Sequence, residues 1–247
     1  MLKSKKLKIG YKGKFQVSKL DFIVQAKQVT AVIGHNGSGK STLVRTLVGL
    51  QPPLDGTLEW INGKPRAIAY VGQNTELDNQ FPMRVRDVVA MGAWRGLNFW
   101  RAVDKVALEN IDGALERTGL TNMADKPLYE CSMGQIQRCF FARAIVQDAP
   151  FLILDEPFSA IDQTTEEHLL DIIKGWRDEG RAILIVLHDI SSVLNISDKC
   201  LLLGANKSFF GETKSVINSN NLIAFDYMTP VQAKLLSFFL KNEVRNV

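Results

Sequence analysis

Gln28–Thr42 reads QVTAVIGHNGSGKST, an apolar run that breaks into glycines and then into Lys-Ser-Thr. Residues 28–34 lack polar alternation, the pattern of a strand buried on both faces. From Gly34 the chain fits G-x-x-x-x-G-K-[ST], between a strand and a helix, the context in which this pattern carries a mechanism. Gly34, Gly37 and Gly39 let the backbone curl so that successive N–H groups face inward and cradle phosphate oxygens. The helix that follows adds the positive end of its dipole. Lys40 supplies a mobile cation to the outer phosphates, and the Ser41 hydroxyl is a ligand type suited to Mg²⁺. With glycine near 7% of residues, a chance match in a chain this long is on the order of one in a hundred. The loop Gly34, His35, Asn36, Gly37, Ser38, Gly39, Lys40, Ser41 and Thr42 therefore reads as a nucleoside triphosphate site. The His35 side chain is given no role of its own.

Outward from this loop, further apolar segments read as buried strands at 66–71, 151–155, 182–187 and 199–203. Helical stretches fall at 42–49, 165–179 and 190–196, so strand and helix alternate as in a parallel α/β sheet. Residues 75–146 contain no clear buried strand. They carry helical spacing at 86–91, 102–118 and 135–146 and read as a helical insertion in the α/β body. The expected division is one 247-residue domain: a catalytic core of about 1–74 and 147–212, a helical subdomain of about 75–146, and a tail of about 213–247. In the tail only 230–240 reads as an apolar-faced helix, and no chemistry is legible from 215 onward.

Composition narrows the possibilities. The chain is 46% hydrophobic and 23% charged, ordinary globular usage that argues against general disorder. Cys131, Cys139 and Cys200 are odd in number and form no CxxC pair, which excludes a disulfide framework or zinc ribbon and fits a reducing compartment. His35, His168 and His188 are far apart and form no metal-binding run. No apolar run approaches the roughly 18 residues needed to cross a bilayer, and the basic start lacks the apolar stretch of a signal peptide. Residues 1–20 hold seven lysines and no acid against a net charge of +4 for the whole chain, so the remainder is net negative. This start reads as a solvated, lysine-rich edge strand, where Lys discourages sheet-to-sheet pairing.

A second half of the site is legible at 151–156, FLILDE. A buried strand ending in Asp155 delivers a carboxylate where Mg²⁺ can neutralise it. Glu156 is placed to accept a proton from an attacking water, assistance typically worth about 10²–10⁴ in rate. Pro157 then stops the strand. A GTPase would offer NKxD, but Asn206 and Lys207 are followed by Ser208 and Phe209. No acceptor site of a small-molecule kinase is visible. What stands upstream of the acidic strand is CSMGQIQR at 131–138.

At this point the chain resembles the ATP-binding cassette family, the nucleotide-hydrolysing subunits of ABC transporters, from about Leu7 to Gly211. The resemblance implies a P-loop α/β fold with a mostly parallel sheet, an amino-terminal antiparallel β part and an inserted helical subdomain. It implies that Tyr11 stacks on adenine, that Gly34–Thr42 is the Walker A loop, and that Gln73 in AYVGQ is the Q-loop glutamine, a Mg²⁺ ligand. Ser132, Gly134 and Gln135 match the signature, usually LSGGQ, and Asp155 and Glu156 match Walker B and the catalytic carboxylate. SAID at 159–162, ending in Asp162, matches the D-loop, and His188 after ILIVL matches the switch histidine. Lys40, Gln73, Glu156 and His188 are then the catalytic group, with Ser41, Gln73 and Asp155 on Mg²⁺.

The resemblance further implies a head-to-tail dimer of two copies, each ATP lying between one Walker A loop and the other copy's signature. It also implies a separate membrane permease, an extracytoplasmic solute-binding protein reached through it, and a location on the cytoplasmic face of a prokaryotic membrane. The single cassette sets aside tandem-cassette translation factors, and the lack of long heptads disfavours chromosome-organising relatives. Nucleic acid is not expected, since only the lysine-rich start is basic. Signature position 133 is Met where the family has Gly. A positive φ there would strain it by about 1–3 kcal/mol, and a negative φ would make it merely crowded. Trp94, Phe99 and Trp100, with Arg95 and Arg101, read either as subdomain core or as a permease contact.

For cargo, the 33-residue step from Lys40 to Gln73, with WINGKPRAIAYVGQ before it and FPMRVRDVVAMGAW after, looks like the zinc and manganese uptake subfamily. Uptake of an iron–siderophore complex or another small solute is the alternative, as is a non-transport ABC switch protein.

Overall fold

The structure is a computed structural model that describes residues 1–247 apart from Lys12, Lys14, Phe15, Asn62, 73–82, 96–104 and 234–247. The elements run β1 (Leu2–Gly10), β2 (Gln16–Leu20), β3 (Ile23–Val24), β4 (Gln28–Gly34), α1 (Lys40–Leu47), β5 (Asp55–Trp60) and β6 (Ile68–Val71). Next come α2 (Val85–Ala90), a 3₁₀ turn at Met91–Arg95, α3 (Lys105–Arg117), α4 (Met133–Gln147), β7 (Phe151–Asp155) and α5 (Gln163–Asp178). The chain continues through β8 (Ala182–Val186), α6 (Ile190–Ile196), β9 (Lys199–Leu203), β10 (Ser208–Glu212), α7 (Thr213–Val216) and α8 (Ser219–Ala224). The described residues form two compact units, one of 1–64 with 182–247 and one of 65–181.

In the first unit β4 lies parallel to both β8 and β9, and β10 closes on β9 antiparallel. Val29, Ala31, Val32 and Ile33 are fully buried, as are Ile183–Val186 and Cys200–Leu203. Strands enclosed on both faces need no polar alternation, which is why these segments read as unbroken apolar runs.

The amino-terminal sheet corrects one expectation. β1 is not an edge strand: Leu2 pairs with Val24 of β3 on one side and with Trp60 of β5 on the other. Lys3, Lys5 and Lys6 are exposed and Lys8 half-buried while Leu2, Leu7 and Ile9 are buried, so Lys here solvates one face of an interior strand. The register shifts after Lys5, and Lys6 takes a left-handed φ of 46°. This bulge brings backbone against Gly56 of β5, where a Cβ would stand 2.4 Å from the Lys6 carbonyl oxygen. Only glycine fits that approach. Ser4 is buried beside it, its hydroxyl donating to the Leu20 carbonyl at 2.8 Å and accepting from the Phe22 amide at 2.9 Å.

The second unit is built on α4. Phe141 stacks on Trp176 of α5, centroids 5.4 Å apart, and Ile136, Cys139 and Phe140 are also buried. Parallel β6 and β7 pair from Ile68↔Phe151 to Val71↔Leu154. α4 reaches β6 as well: Arg143 Nη2 donates to the Tyr70 carbonyl at 3.1 Å, and Gln147 Nε2 to that of Ile68 at 3.1 Å. The contact between α4 and the 3₁₀ turn is close enough that a Cβ on Gly92 would meet the Arg143 carbonyl at 2.4 Å. Among the described residues no helix is long and apolar enough to cross a membrane.

Candidate functional site

The phosphate loop leaves the buried end of β4. Gly34 is enclosed, and a Cβ there would lie 2.4 Å from Ser38 Oγ and 2.6 Å from the Leu203 carbonyl oxygen. Gly37 has a φ of 82° with open space around it. Gly39 stands at the start of α1 with φ 102° and ψ 11°, and no side chain caps the helix. The three glycines are thus required for different reasons: contact at Gly34 and left-handed backbone at Gly37 and Gly39. Lys40 is buried, its Nζ donating to the Gly34 carbonyl at 2.7 Å and that of His35 at 3.3 Å. It ties the start of α1 back to the end of β4. Ser38 Oγ is buried with no hydrogen-bond partner, a polar atom left inside the cradle. Ser41 is exposed and Thr42 half-buried. His35 is half-buried, its Nδ1 2.8 Å from the Asn36 carbonyl oxygen.

Two further predicted residues lie in this unit. β8 runs beside β4 with Val186 level with Val32, and the Leu187 amide donates to the Val32 carbonyl at 3.1 Å. His188 therefore leaves its strand at the same end as the phosphate loop, and it is exposed. Asp189 caps α6, accepting from the Ser192 amide at 2.7 Å. Burial raises the Asp189 pKa, but hydrogen bonds from Ser192 and the 191 amide, with the charge of His188, outweigh it and hold the carboxyl below its ordinary value. Tyr11 follows β1, is 44% exposed, and its hydroxyl accepts from Arg45 Nη1 of α1 at 3.4 Å. It stands beside the loop's own helix with a face open to solvent.

The second unit holds the acidic strand and the signature. β7 is buried throughout, and Asp155 at its end is 8% exposed. The strand then turns through two non-glycine residues in the left-handed region, Glu156 at φ 50° and Ala160 at φ 59°. Strain of this kind costs about 1–3 kcal/mol at each position and concentrates at functional sites. The Ser159 amide donates to the Glu156 carbonyl at 3.2 Å and closes the turn.

Ser132 caps α4, accepting from the Gln135 amide at 3.3 Å, while Gln135 Oε1 accepts from the Ser132 amide at 3.0 Å. This reciprocal capping box holds the signature serine at the helix start. Asp162 caps α5 with Oδ1 on the Thr165 amide at 2.9 Å and Oδ2 on the Thr165 hydroxyl at 2.8 Å. The Thr165 amide, then its hydroxyl, holds the Asp162 carboxyl below its ordinary pKa against a small opposing burial. A Cβ on Gly134 would lie 3.5 Å from Thr165 Oγ1 and 3.7 Å from Asp162 Oδ2, so the starts of α4 and α5 face each other. Thr165 was not singled out from sequence, although the Asp-x-x-Thr capping pattern at 162–165 signals it.

Met133 is the first residue of α4, outside the positive-φ residues, and 43% exposed. The strained alternative is thereby set aside, and Met133 is tolerated in the first turn of α4. Met133→Gly is expected to hydrolyse ATP as fast as the parent or up to a few-fold faster, because an N-terminal helix position carries little of the roughly 1 kcal/mol interior glycine cost. A large loss in a steady-state ATPase assay would contradict this. Gln73 and Phe99, Trp100 and Arg101 lie outside the described residues. Trp94 is 64% exposed.

Comparison with known proteins agrees with this geometry. The ABC transporter family profile matches residues 17–159. The chain is 36% identical to the manganese transport system ATP-binding protein MntA of Synechocystis over 206 residues, 81% of this chain and 79% of that protein. The chain belongs to the ABC transporter family. As an ABC ATPase it binds nucleotide and hydrolyses ATP to energise transport, and subunits of this kind dimerise and work with a membrane permease subunit. It is also 36% identical to the zinc transport system ATP-binding protein TroB of Treponema pallidum, over 80% of this chain and 76% of that protein. A metal-chelate type ABC transporter solved in an inward-facing conformation is similar in fold, with a TM-score of 0.83 and 29% identity, covering 92% of this chain and 89% of that one.

Proposed function

We propose that this chain is the ATPase of a manganese or zinc uptake transporter on the cytoplasmic face of a prokaryotic membrane, supplied by an extracytoplasmic solute-binding protein. The observation that carries the cargo is its 36% identity, over four-fifths of its length, to ATP-binding subunits named for those two metals. The metal is cargo, handled by the permease and the binding protein; this subunit supplies the power stroke. Exposed Trp94 supports a permease contact on the helical segment.

Within the site, Tyr11 stacks on adenine, the Gly34–Thr42 backbone wraps the phosphates, and Lys40 leaves the loop carbonyls for the outer phosphates. That exchange costs little, because Nζ trades hydrogen bonds to neutral carbonyls for hydrogen bonds to ionised phosphate oxygens. The hydroxyl of Ser41, the carboxylate of Asp155 and the amide oxygen of Gln73 are hard-oxygen donors of the kind that would hold Mg²⁺. The ion would supply neutralisation of phosphate charge. Glu156 takes the proton of the attacking water, and His188 aligns the γ-phosphate. From the second copy, Ser132 and the Gly134 amide reach the same phosphate, with Gln135 and Asp162 setting the two helix starts that bear on it.

The test is whole-cell elemental content of the native host under metal limitation, parent against Lys40→Ala. A specific fall in manganese or zinc is expected. A rise would mean export, and unchanged metals would overturn the cargo.

A further inference from the structure

The tail offers no legible chemistry in sequence, yet the structure runs it back to the switch histidine. After β10 the chain forms α7 and α8, the latter capped by Asn218, whose Oδ1 accepts from the Asn221 amide at 2.9 Å. Leu222 is fully buried and Phe225 is 9% exposed. The segment is tied to the β9–β10 connection by Lys207, which donates to the Ala224 carbonyl and sits 4.9 Å from the Phe225 ring centroid. Asp226 then takes a left-handed φ of 55°, and the Tyr227 amide closes on the Leu222 carbonyl at 2.9 Å. This turn aims Tyr227 inward, and its hydroxyl donates to the backbone carbonyl of His188.

The carbonyl of His188 is thus gripped by Tyr227, and Asp189 just after it is fixed as the cap of α6. Leu187 just before it is tied to β4, its amide donating to the Val32 carbonyl at 3.1 Å. With the backbone held before and after its Cα, the direction in which the exposed imidazole leaves the chain is restrained too. Burial, then the Asp189 carboxylate and Cys200, push the Tyr227 pKa up to about 12. The hydroxyl therefore keeps its proton, and remains a donor, across the physiological range.

We propose that Tyr227 is a positioning residue for ATP hydrolysis: through the His188 carbonyl it sets the approach of the imidazole to the γ-phosphate. The inference rests on the reading of His188 as the aligning histidine. It gives the docked tail a role in turnover and makes the link between α8 and the switch part of the catalytic cycle.

The test uses the whole 247-residue chain with Tyr227→Phe, which keeps the ring and removes only the hydroxyl. Loss of one such bond is expected to lower kcat about three- to tenfold, with KM for ATP and the thermal midpoint nearly unchanged. The imidazole NMR signals provide the second readout. That of His188 should shift or broaden in Tyr227→Phe, while those of His35 and His168 stay as internal references. A parent-like kcat, or a lower kcat with an unmoved His188 signal, overturns the positioning role. A fall in kcat accompanied by a changed KM and thermal midpoint makes Tyr227 merely structural and overturns it as well. His188→Ala separates the two levels: retained hydrolysis there defeats the reading of His188 itself, whereas lost hydrolysis with a parent-like Tyr227→Phe defeats only the role of Tyr227.

Discussion

Glu156→Gln is expected to cut ATP turnover by about two to four orders of magnitude, the range for losing a general base, while ATP still binds. The substitution preserves side-chain length and the left-handed backbone at this position, φ 50°, so the turn closed by Ser159 onto the Glu156 carbonyl has no reason to open. What disappears is the ability to take a proton from water. Binding elements such as the phosphate loop and Lys40 are untouched. On the proposed reading, in which ATP lies between two copies and hydrolysis parts them, the variant should accumulate as a nucleotide-bound dimer. Single-turnover hydrolysis and size-exclusion chromatography with ATP read both effects. Near-parent turnover would remove Glu156 from the chemistry.

Gly34→Ala is expected to weaken ATP binding by about two orders of magnitude, the scale on which a misplacement of about 1 Å acts, and to destabilise the fold by about 1–3 kcal/mol as overpacking. The new methyl would stand 2.6 Å from the Leu203 carbonyl oxygen and 2.4 Å from Ser38 Oγ. One of these is backbone of a buried strand and the other a short side chain inside the cradle, so neither yields cheaply and the loop must shift. Gly37→Ala is the control. It has open space but a φ of 82°, so it should cost only the roughly 1 kcal/mol of left-handed strain. Nucleotide titration and urea unfolding distinguish them. Equal affinities for the two variants would refute the steric argument.

The candidate phosphate loop and the acidic end of β7 were legible because each lies within one short stretch, whereas Asp189 as the cap of α6 was not singled out. β4, β7 and β9 have the bounds their sequences predict, because a strand enclosed on both faces writes an unbroken apolar run, and the helix α6 has its predicted bounds too. Helix starts moved more. α1 begins at Lys40 instead of 42, because left-handed Gly39 serves as its cap. α4 begins at Met133 instead of 135, because Ser132 and Gln135 cap each other. β5 was not read: DGTLEW is half-exposed along its length and has no apolar run to announce it. The expected helix at 230–240 is described only through Ala233, and the rest lies outside the described residues.

By itself the sequence determined the fold class and the residue types at the nucleotide site, since backbone curl, phosphate charge and strand burial are set by neighbours a few positions apart. Only the tertiary structure decided what depends on distant segments meeting. It made β1 an interior strand, left Gly34 no room for a Cβ because Leu203 passes beside it, and brought Tyr227 to a carbonyl 39 residues away. No local pattern encodes such contacts, because each is fixed by the packing of the whole unit.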